Sequence, residues 1–300
     1  MDGIIIIAKP EGFTSFDVVA KMRGMLHTKK VGHAGTLDPM ATGVLPVFVG
    51  RGTKCCDILP CQDKEYRAVF RLGITTDTQD ITGKVLEQRP VTADRAQVEQ
   101  VISEFVGEIE QVPPMYSAVQ INGQRLYDLA RQGIEVERPA RKITIYRCDL
   151  LGEGPNPNEY SIDVACSKGT YIRTLCADIG EKLGCGAAMT SLCRTQAAGF
   201  TLEEALPLEE AQRLASLGQL EEHIRSVEEV FRSLPCVHLS EAQTRMYKNG
   251  VRLDLKRVEW DETMDSDLRV LGFDGRFLGV GYADQEAGEL RSRQLFDISH

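Results

Sequence analysis

The chain opens on the apolar run IIIIAKP, which predicts a fully buried strand ending at Pro10. The period then changes. In TSFDVVAKMRGML, Phe16, Val19, Met22 and Leu26 recur on one helical face, and Ser15 is placed to cap the N-terminus of that helix. A strand resumes from Val44 to Val49, and KEYRAVFRLG alternates, with Tyr66, Ala68, Phe70 and Leu72 on one side and Arg67, Val69 and Arg71 on the other. Tyr66 therefore shares a sheet face with core residues. A further helix is predicted from Asp94 to Val106, where Val98, Val101, Ile102 and Phe105 form the apolar stripe. Tyr160 to Cys166 alternates as a strand, after which Ile172, Leu175, Cys176, Ile179 and Leu183 repeat at helical spacing until Gly184 stops them. This spacing puts Arg173 in the first turn of a helix that directly follows a strand.

Two regions break these periods. Residues 112–142 form a loop-rich insertion in which Asn122-Gly123 signals a hairpin turn and Arg125, Arg131, Arg138, Arg141 and Lys142 are spread. Such basic loops can contact phosphates, although solvated surface is the commoner use of such charge. Beyond Leu234 the chain becomes a series of short strand-like pieces with Gly and Asp turns, as in RVLGFDGRFLGVGYAD, so a domain boundary is placed near Phe231 to Pro235.

Composition narrows the functional classes. A chain of 300 residues with 42% hydrophobic content can bury a large core, and it has no apolar run of membrane-spanning length. The first residues lack a basic flank and apolar core of secretory type, which makes the cytoplasm the expected compartment. Nine cysteines without a C-x-x-C pair, together with five scattered histidines, assemble no structural zinc pattern and read as reduced, mostly buried thiols. The net charge of −9 speaks against nucleic acid only until it is mapped. Residues 201–232 hold 3 Lys and Arg against 8 Asp and Glu, whereas residues 1–150 hold 19 of each. A basic groove elsewhere on the chain is compatible with that distribution.

The candidate chemistry lies in GHAGTLDPMATGVLP, Gly32 to Pro46, which is neither helix nor strand in pattern and has one carboxylate at its centre. Glycines at 32, 35 and 43 provide tight turns and room for a substrate backbone. Pro39 disfavours the α region for Asp38, and a carboxylate on a preset backbone has less entropy to lose on ordering. The bland alternative is an Asx-turn aspartate in a glycine-shaped surface loop.

This loop, with KPEGFTS before it and KEYRAVFRLG and CSKGTYIRTLCADIG after it, closely resembles the tRNA pseudouridine-55 synthases of the TruB family. QVPPMYSAVQINGQRLYDLARQG and LCRTQAAGF extend the likeness, which covers most of residues 3–210. The tail, with PCVHLSEAQTRMYKNGV and GRFLGVGYADQ, more weakly resembles a PUA domain, a small RNA-binding β-barrel. The resemblance implies an α/β (α+β) protein of pseudouridine-synthase fold, with a mixed, mainly antiparallel sheet flanked by helices over residues 1–232 and a PUA-like unit over 235–300. It implies isomerisation of a uridine in the tRNA T-loop, position 55, without metal, nucleotide or redox cofactor. The expected partner is tRNA, with no membrane, no obligate protein partner and a monomeric chain.

By the same resemblance, Asp38 is the catalytic carboxylate, acting as nucleophile or base at C1′, C6 or the C2′ proton. Arg173 pairs with it, and guanidinium geometry suits a bidentate grip on a carboxylate. Tyr66 stacks on the target base and assists in removing the C5 proton. His33 lies by the extruded nucleotide, Tyr171 and Leu192 border the target base, and Lys9 supports the loop. Two rivals remain at this level: an RNA-binding or tRNA-folding protein with dispensable catalysis, and a carboxylate-dependent hydrolase such as a nucleosidase. The fragment GCGAAM, Gly184 to Met189, imitates part of a dinucleotide loop but follows a helix, so it reads as a helix stop.

Overall fold

The computed structural model describes residues 1–117, 119–121, 123–260 and 267–297. Its centre is a ten-stranded sheet in which the strands Leu206–Pro207, Gly3–Lys9, Thr42–Val49, Ala187–Ala197, Lys64–Leu72, Glu159–Cys166, Arg141–Glu153 and Gly107–Gln111 lie side by side. Val31–His33 and Phe200–Thr201 pair alongside this path. The pairings are antiparallel except where Gly3–Lys9 meets Leu206–Pro207 and where Ala187–Ala197 meets Thr42–Val49. This is the mixed, mainly antiparallel sheet expected. The isoleucine run is buried on both faces, as an unalternating strand must be. In Lys64–Leu72 the residues Tyr66, Ala68, Phe70 and Leu72 face the core.

The helix Ser15–Met25 departs from its expected face. Its cap is Thr14, whose hydroxyl accepts from the Asp17 amide while the Asp17 carboxylate accepts from the Thr14 amide. The buried face is Ser15, Val18, Val19 and Met22, and Phe16 is 63% exposed with Arg23 over its ring. Ser15 is turned inward because its hydroxyl has a partner in the loop that follows. Asp94 caps the helix Arg95–Ser103, and the helix Ile172–Lys182 ends where Gly184 and Gly186 take positive φ and the Gly186 amide returns to the Gly180 carbonyl. GCGAAM is thus a helix stop leading into the long strand Ala187–Ala197.

In the insertion, the short strands Gln120–Ile121 and Gln124–Arg125 pair antiparallel, with Gly123 at φ 80°. Asn122, the other half of that turn signal, lies outside the described residues. The C-terminal region holds its own five-stranded sheet, curled into a half-barrel, in the order Cys236–His238, Asp267–Leu271, Phe277–Asp284, Glu289–Leu295, Leu253–Asp254. Phe277 and Phe296 pack on Phe231 at centroid distances of 5.9 Å, joining this sheet to the core of the larger one. Among the described residues no helix is long and apolar enough to cross a membrane.

Candidate active site

The loop that carries Asp38 is fastened on both sides of that residue. The Ser15 hydroxyl accepts from the Leu37 amide at 2.8 Å, and the Pro39 carbonyl accepts from the Gly12 amide at 2.8 Å. The Ala41 amide donates to the Asp38 carbonyl, closing a turn with Pro39 at its second position. Lys9 is 1% exposed, and its ammonium donates to the carbonyls of Pro10, Phe13 and Pro39 at 2.9, 2.6 and 3.3 Å. A lysine so employed ties three turns together and has no proton donor left over for a substrate. At the far end of the loop, Gly43 has φ 105°, and a Cβ there would collide with the Arg194 backbone.

Asp38 is therefore presented on a fixed backbone with its side chain 37% exposed. Arg173, 5% exposed at the start of Ile172–Lys182, grips it from below: Nε is 3.0 Å from Oδ2 and Nη2 is 3.4 Å from Oδ1. The same guanidinium donates through Nη2 to the Tyr116 carbonyl at 2.9 Å and through Nη1 to the Thr78 carbonyl at 3.1 Å. It also meets a second carboxylate, Asp80, with Nη1 3.4 Å from Oδ2. Asp80 is 4% exposed and is held by the Thr78 and Thr82 hydroxyls and the Thr82 amide on Oδ1, at 2.9, 2.5 and 3.0 Å. Burial raises the Asp38 carboxyl above its ordinary range, Arg173 pulls it down, Asp80 pushes it up again and Lys9 lowers it. The balance leaves the carboxyl raised above its ordinary value, more basic than one in water.

A cavity of about 280 Å³ opens above this pair. Asp38, Tyr66, Tyr171, Arg173 and Leu192 all line it, together with Lys64, Tyr116 and Ser117. Tyr66 is 6% exposed, and burial raises its hydroxyl above the ordinary value. Tyr171 precedes the helix, and its backbone is fixed by Gln111, whose side chain accepts from the Tyr171 amide at 2.8 Å and donates to the Tyr171 carbonyl at 3.0 Å. His33 is the one predicted residue not brought in. It lies at the start of the loop, outside the cavity lining, with burial, and then Arg194, lowering its imidazole. A larger cavity of about 610 Å³ borders the same helix through Thr174, Asp178 and Lys182 and takes Arg138 from the insertion, but contains none of the residues predicted to act on the base.

Three functional side chains escaped the sequence pattern. Asp80 sits in TTDTQDITG, a segment that reads as an ordinary polar turn; its signal was the density of threonines able to saturate a buried carboxylate. Gln111 holds Tyr171, and Arg194 lies beneath the loop, fully buried. Both lie inside quoted motifs, QVPPMYSAVQ and LCRTQAAGF, but no role was assigned to either, because each acts through a partner distant in the chain.

The family model for the TruB family pseudouridylate synthase N-terminal domain matches residues 23–172, and the tRNA pseudouridylate synthase B C-terminal domain matches residues 173–232. The chain is 47% identical over 292 residues to the tRNA pseudouridine synthase B of Clostridium perfringens strain 13, spanning 97% of this chain and 98% of that one. The chain belongs to the TruB family of pseudouridylate synthases. The protein of the same name from Lachnoclostridium phytofermentans is also 47% identical, over 99% of this chain and 100% of its own. Among solved structures, a Cbf5–Nop10–Gar1 complex contains a chain similar at TM-score 0.74 and 26% identity, covering 98% of this chain and 85% of that one. Membership in the TruB family makes this chain an enzyme of the isomerase class, with the pseudouridine-synthase fold.

Proposed function

We propose that this TruB-family chain converts uridine to pseudouridine in tRNA, and that its target is the uridine at position 55 in the T-loop. Its relatives carry the name tRNA pseudouridine synthase B over nearly their whole length, which supports tRNA as the substrate. The observation that carries the chemistry is the bidentate clamp of Arg173 on Asp38 at the mouth of the cavity lined by Tyr66 and Leu192. The uridine is flipped from its stack, at a cost of a few kcal/mol that stacking and polar contacts in the cavity offset. The N1–C1′ bond breaks, the base turns, and a C5–C1′ bond forms; C5 then loses its proton to Tyr66 while N1 gains one, so the product is an isomer of the substrate.

Asp38 is the catalytic carboxylate, acting at C1′, at C6 or on the C2′ proton. Its raised basicity suits each of these roles. Arg173 keeps it ionised and aimed, Tyr171 and Leu192 border the base, and His33 lies by the extruded nucleotide, outside the cavity lining. Residues 1–232 form the catalytic unit, with 112–142 contacting RNA, and residues 235–300 form a PUA-like unit on the same RNA. The chain works as a cytoplasmic monomer.

Replacing Asp38 with Asn is expected to abolish tritium release from 5-tritiated uridine in T-loop RNA while leaving tRNA binding intact. Retained turnover in that variant refutes the assignment, and free uracil or a cut strand as product would replace it with a hydrolase.

A further inference from the structure

Arg194 has no part in the reaction as set out above. It is fully buried in the strand Ala187–Ala197, opposite Tyr66 in the antiparallel register and opposite Gly43 in the parallel one. Its Nε donates to the Val44 carbonyl at 2.8 Å and its Nη2 to the Gly35 carbonyl at 2.9 Å, so a single guanidinium grips both ends of the loop that holds Asp38. Nη1 is buried without an aligned acceptor, and the ionisable group lying against the guanidinium is the Tyr66 hydroxyl. No carboxylate pairs with Arg194 among the described residues, and its other titratable neighbours, Lys9, Lys64 and His33, add no negative charge.

Burying an arginine with no counter-ion is unfavourable, and bracing two carbonyls needs only a neutral donor. The permanent charge supplies something further, a positive field on the phenol oxygen. Arg194 from Ala187–Ala197, Cys166 from Glu159–Cys166 and Asp38 from the loop act on the Tyr66 hydroxyl, and Lys64 and Arg173 line the same cavity. Burial holds the Cys166 thiol at about 11, hence neutral, and Asp38 opposes a phenolate. Of the charges around it, Arg194 acts most strongly on the Tyr66 hydroxyl, and it favours a phenolate.

We propose that Arg194 is a positioning residue for the reaction, acting through Tyr66: it stabilises negative charge on the phenol oxygen that takes up the C5 proton. In that step the Tyr66 phenolate, its own proton given up beforehand to solvent, forms an O–H bond as the C5–H bond breaks. The C–H electron pair becomes the C5=C6 bond, the C6=N1 pair moves to N1, and N1 takes a proton from solvent. Arg194 remains charged throughout.

The inference rests on the reading of Tyr66 given above, and its test separates the two. Single-turnover tritium release and RNA affinity are measured on the full chain as wild type, Arg194→Gln and Arg194→Lys. Each is prepared with tyrosine or with 3,5-difluorotyrosine, whose phenol ionises at lower pH, at position 66. Arg194→Gln is expected to lower the rate about tenfold with RNA affinity within about twofold, and the fluorinated residue to restore most of that loss. A loss that the fluorinated residue leaves untouched would mean that Arg194 only braces the loop, and overturns the proposal. Should Arg194→Gln fail to fold, Arg194→Lys, which keeps the charge, must respond to fluorination no more than wild type does; a larger response overturns the proposal as well. A wild-type chain that releases no tritium would instead remove the proposed isomerisation, and the reading of Tyr66 with it.

Discussion

Replacing Arg173 with Lys keeps the charge and removes the fork, and the structure allows its effect to be sized. The guanidinium serves four acceptors at once, the Asp38 and Asp80 carboxylates and the carbonyls of Thr78 and Tyr116. An ammonium has three protons on one atom, so at least one of the four loses its partner. A buried acceptor left unsatisfied costs about 1–3 kcal/mol, which is the expected loss in unfolding free energy. The effect on rate is separate. Asp38 goes from two contacts to at most one, which frees its carboxylate to rotate, and a misplacement of this kind lowers turnover on the order of 10²-fold. Arg173 is 5% exposed, so RNA affinity is expected to hold within about threefold. Single-turnover tritium release with enzyme in excess isolates the chemical step, and filter binding reports affinity. A Lys variant with the wild-type rate and an unchanged unfolding curve would refute the claim that the two-point grip positions Asp38.

Three more outcomes follow from the same geometry. Asp80→Asn puts an amide among groups that are nearly all donors, so it is expected to lose about 1–3 kcal/mol of stability and to slow turnover through Arg173, read by denaturant unfolding and by the rate with bound RNA; wild-type values for both would reduce Asp80 to a bystander. Lys9→Met strands three carbonyl acceptors and is expected to lower stability by about 1–3 kcal/mol while turnover is reduced but measurable; complete loss in a folded variant would mean that the ammonium reacts. Because the folded Asp38 carboxyl is raised above its unfolded value of 3.8, its protonated form favours the fold, and that contribution fades as pH rises through the folded value. Asp38→Asn is therefore expected to unfold at or above the wild-type temperature at neutral pH, with the gap narrowing toward pH 4, and a markedly less stable Asn variant at neutral pH would contradict this.

The hydrophobic pattern was legible where burial repeats along a single element. The alternation that turned Tyr66 toward the core and the spacing that put Arg173 at a helix start both hold in the structure. Phe16 shows where the pattern fails: an apolar residue at the right spacing was left at the surface, because Ser15 took the inward position to bind the Leu37 backbone. Asp80 and Arg194 fail for the opposite reason. Each is a charged residue inside the fold that meets a partner distant in the chain: Arg173 lies 93 positions from Asp80, whose other donors are the adjacent Thr78 and Thr82, and the Gly35 carbonyl lies 159 from Arg194. Periodicity averages over neighbours in the chain and cannot register such partners. The family resemblance supplied residues within its quoted motifs, and left unassigned the two charges that hold those residues in place.

Charge shows the same separation between local and summed quantities. The chain carries −9 overall, yet among the residues that line the cavity Lys64 and Arg173 stand against Asp38. The acidic helix Leu208–Ser216 follows the strand Leu206–Pro207 at one edge of the sheet, four strand positions from Lys64–Leu72. At about 4.8 Å per strand that is roughly 19 Å, more than twice the screening length of about 8 Å at physiological salt. A phosphate arriving at the cavity mouth therefore responds to the nearby cations and hardly at all to the distant glutamates. The cationic excess at the site and the anionic total act on different length scales, and an acidic isoelectric point is no argument against a polyanionic substrate for this fold.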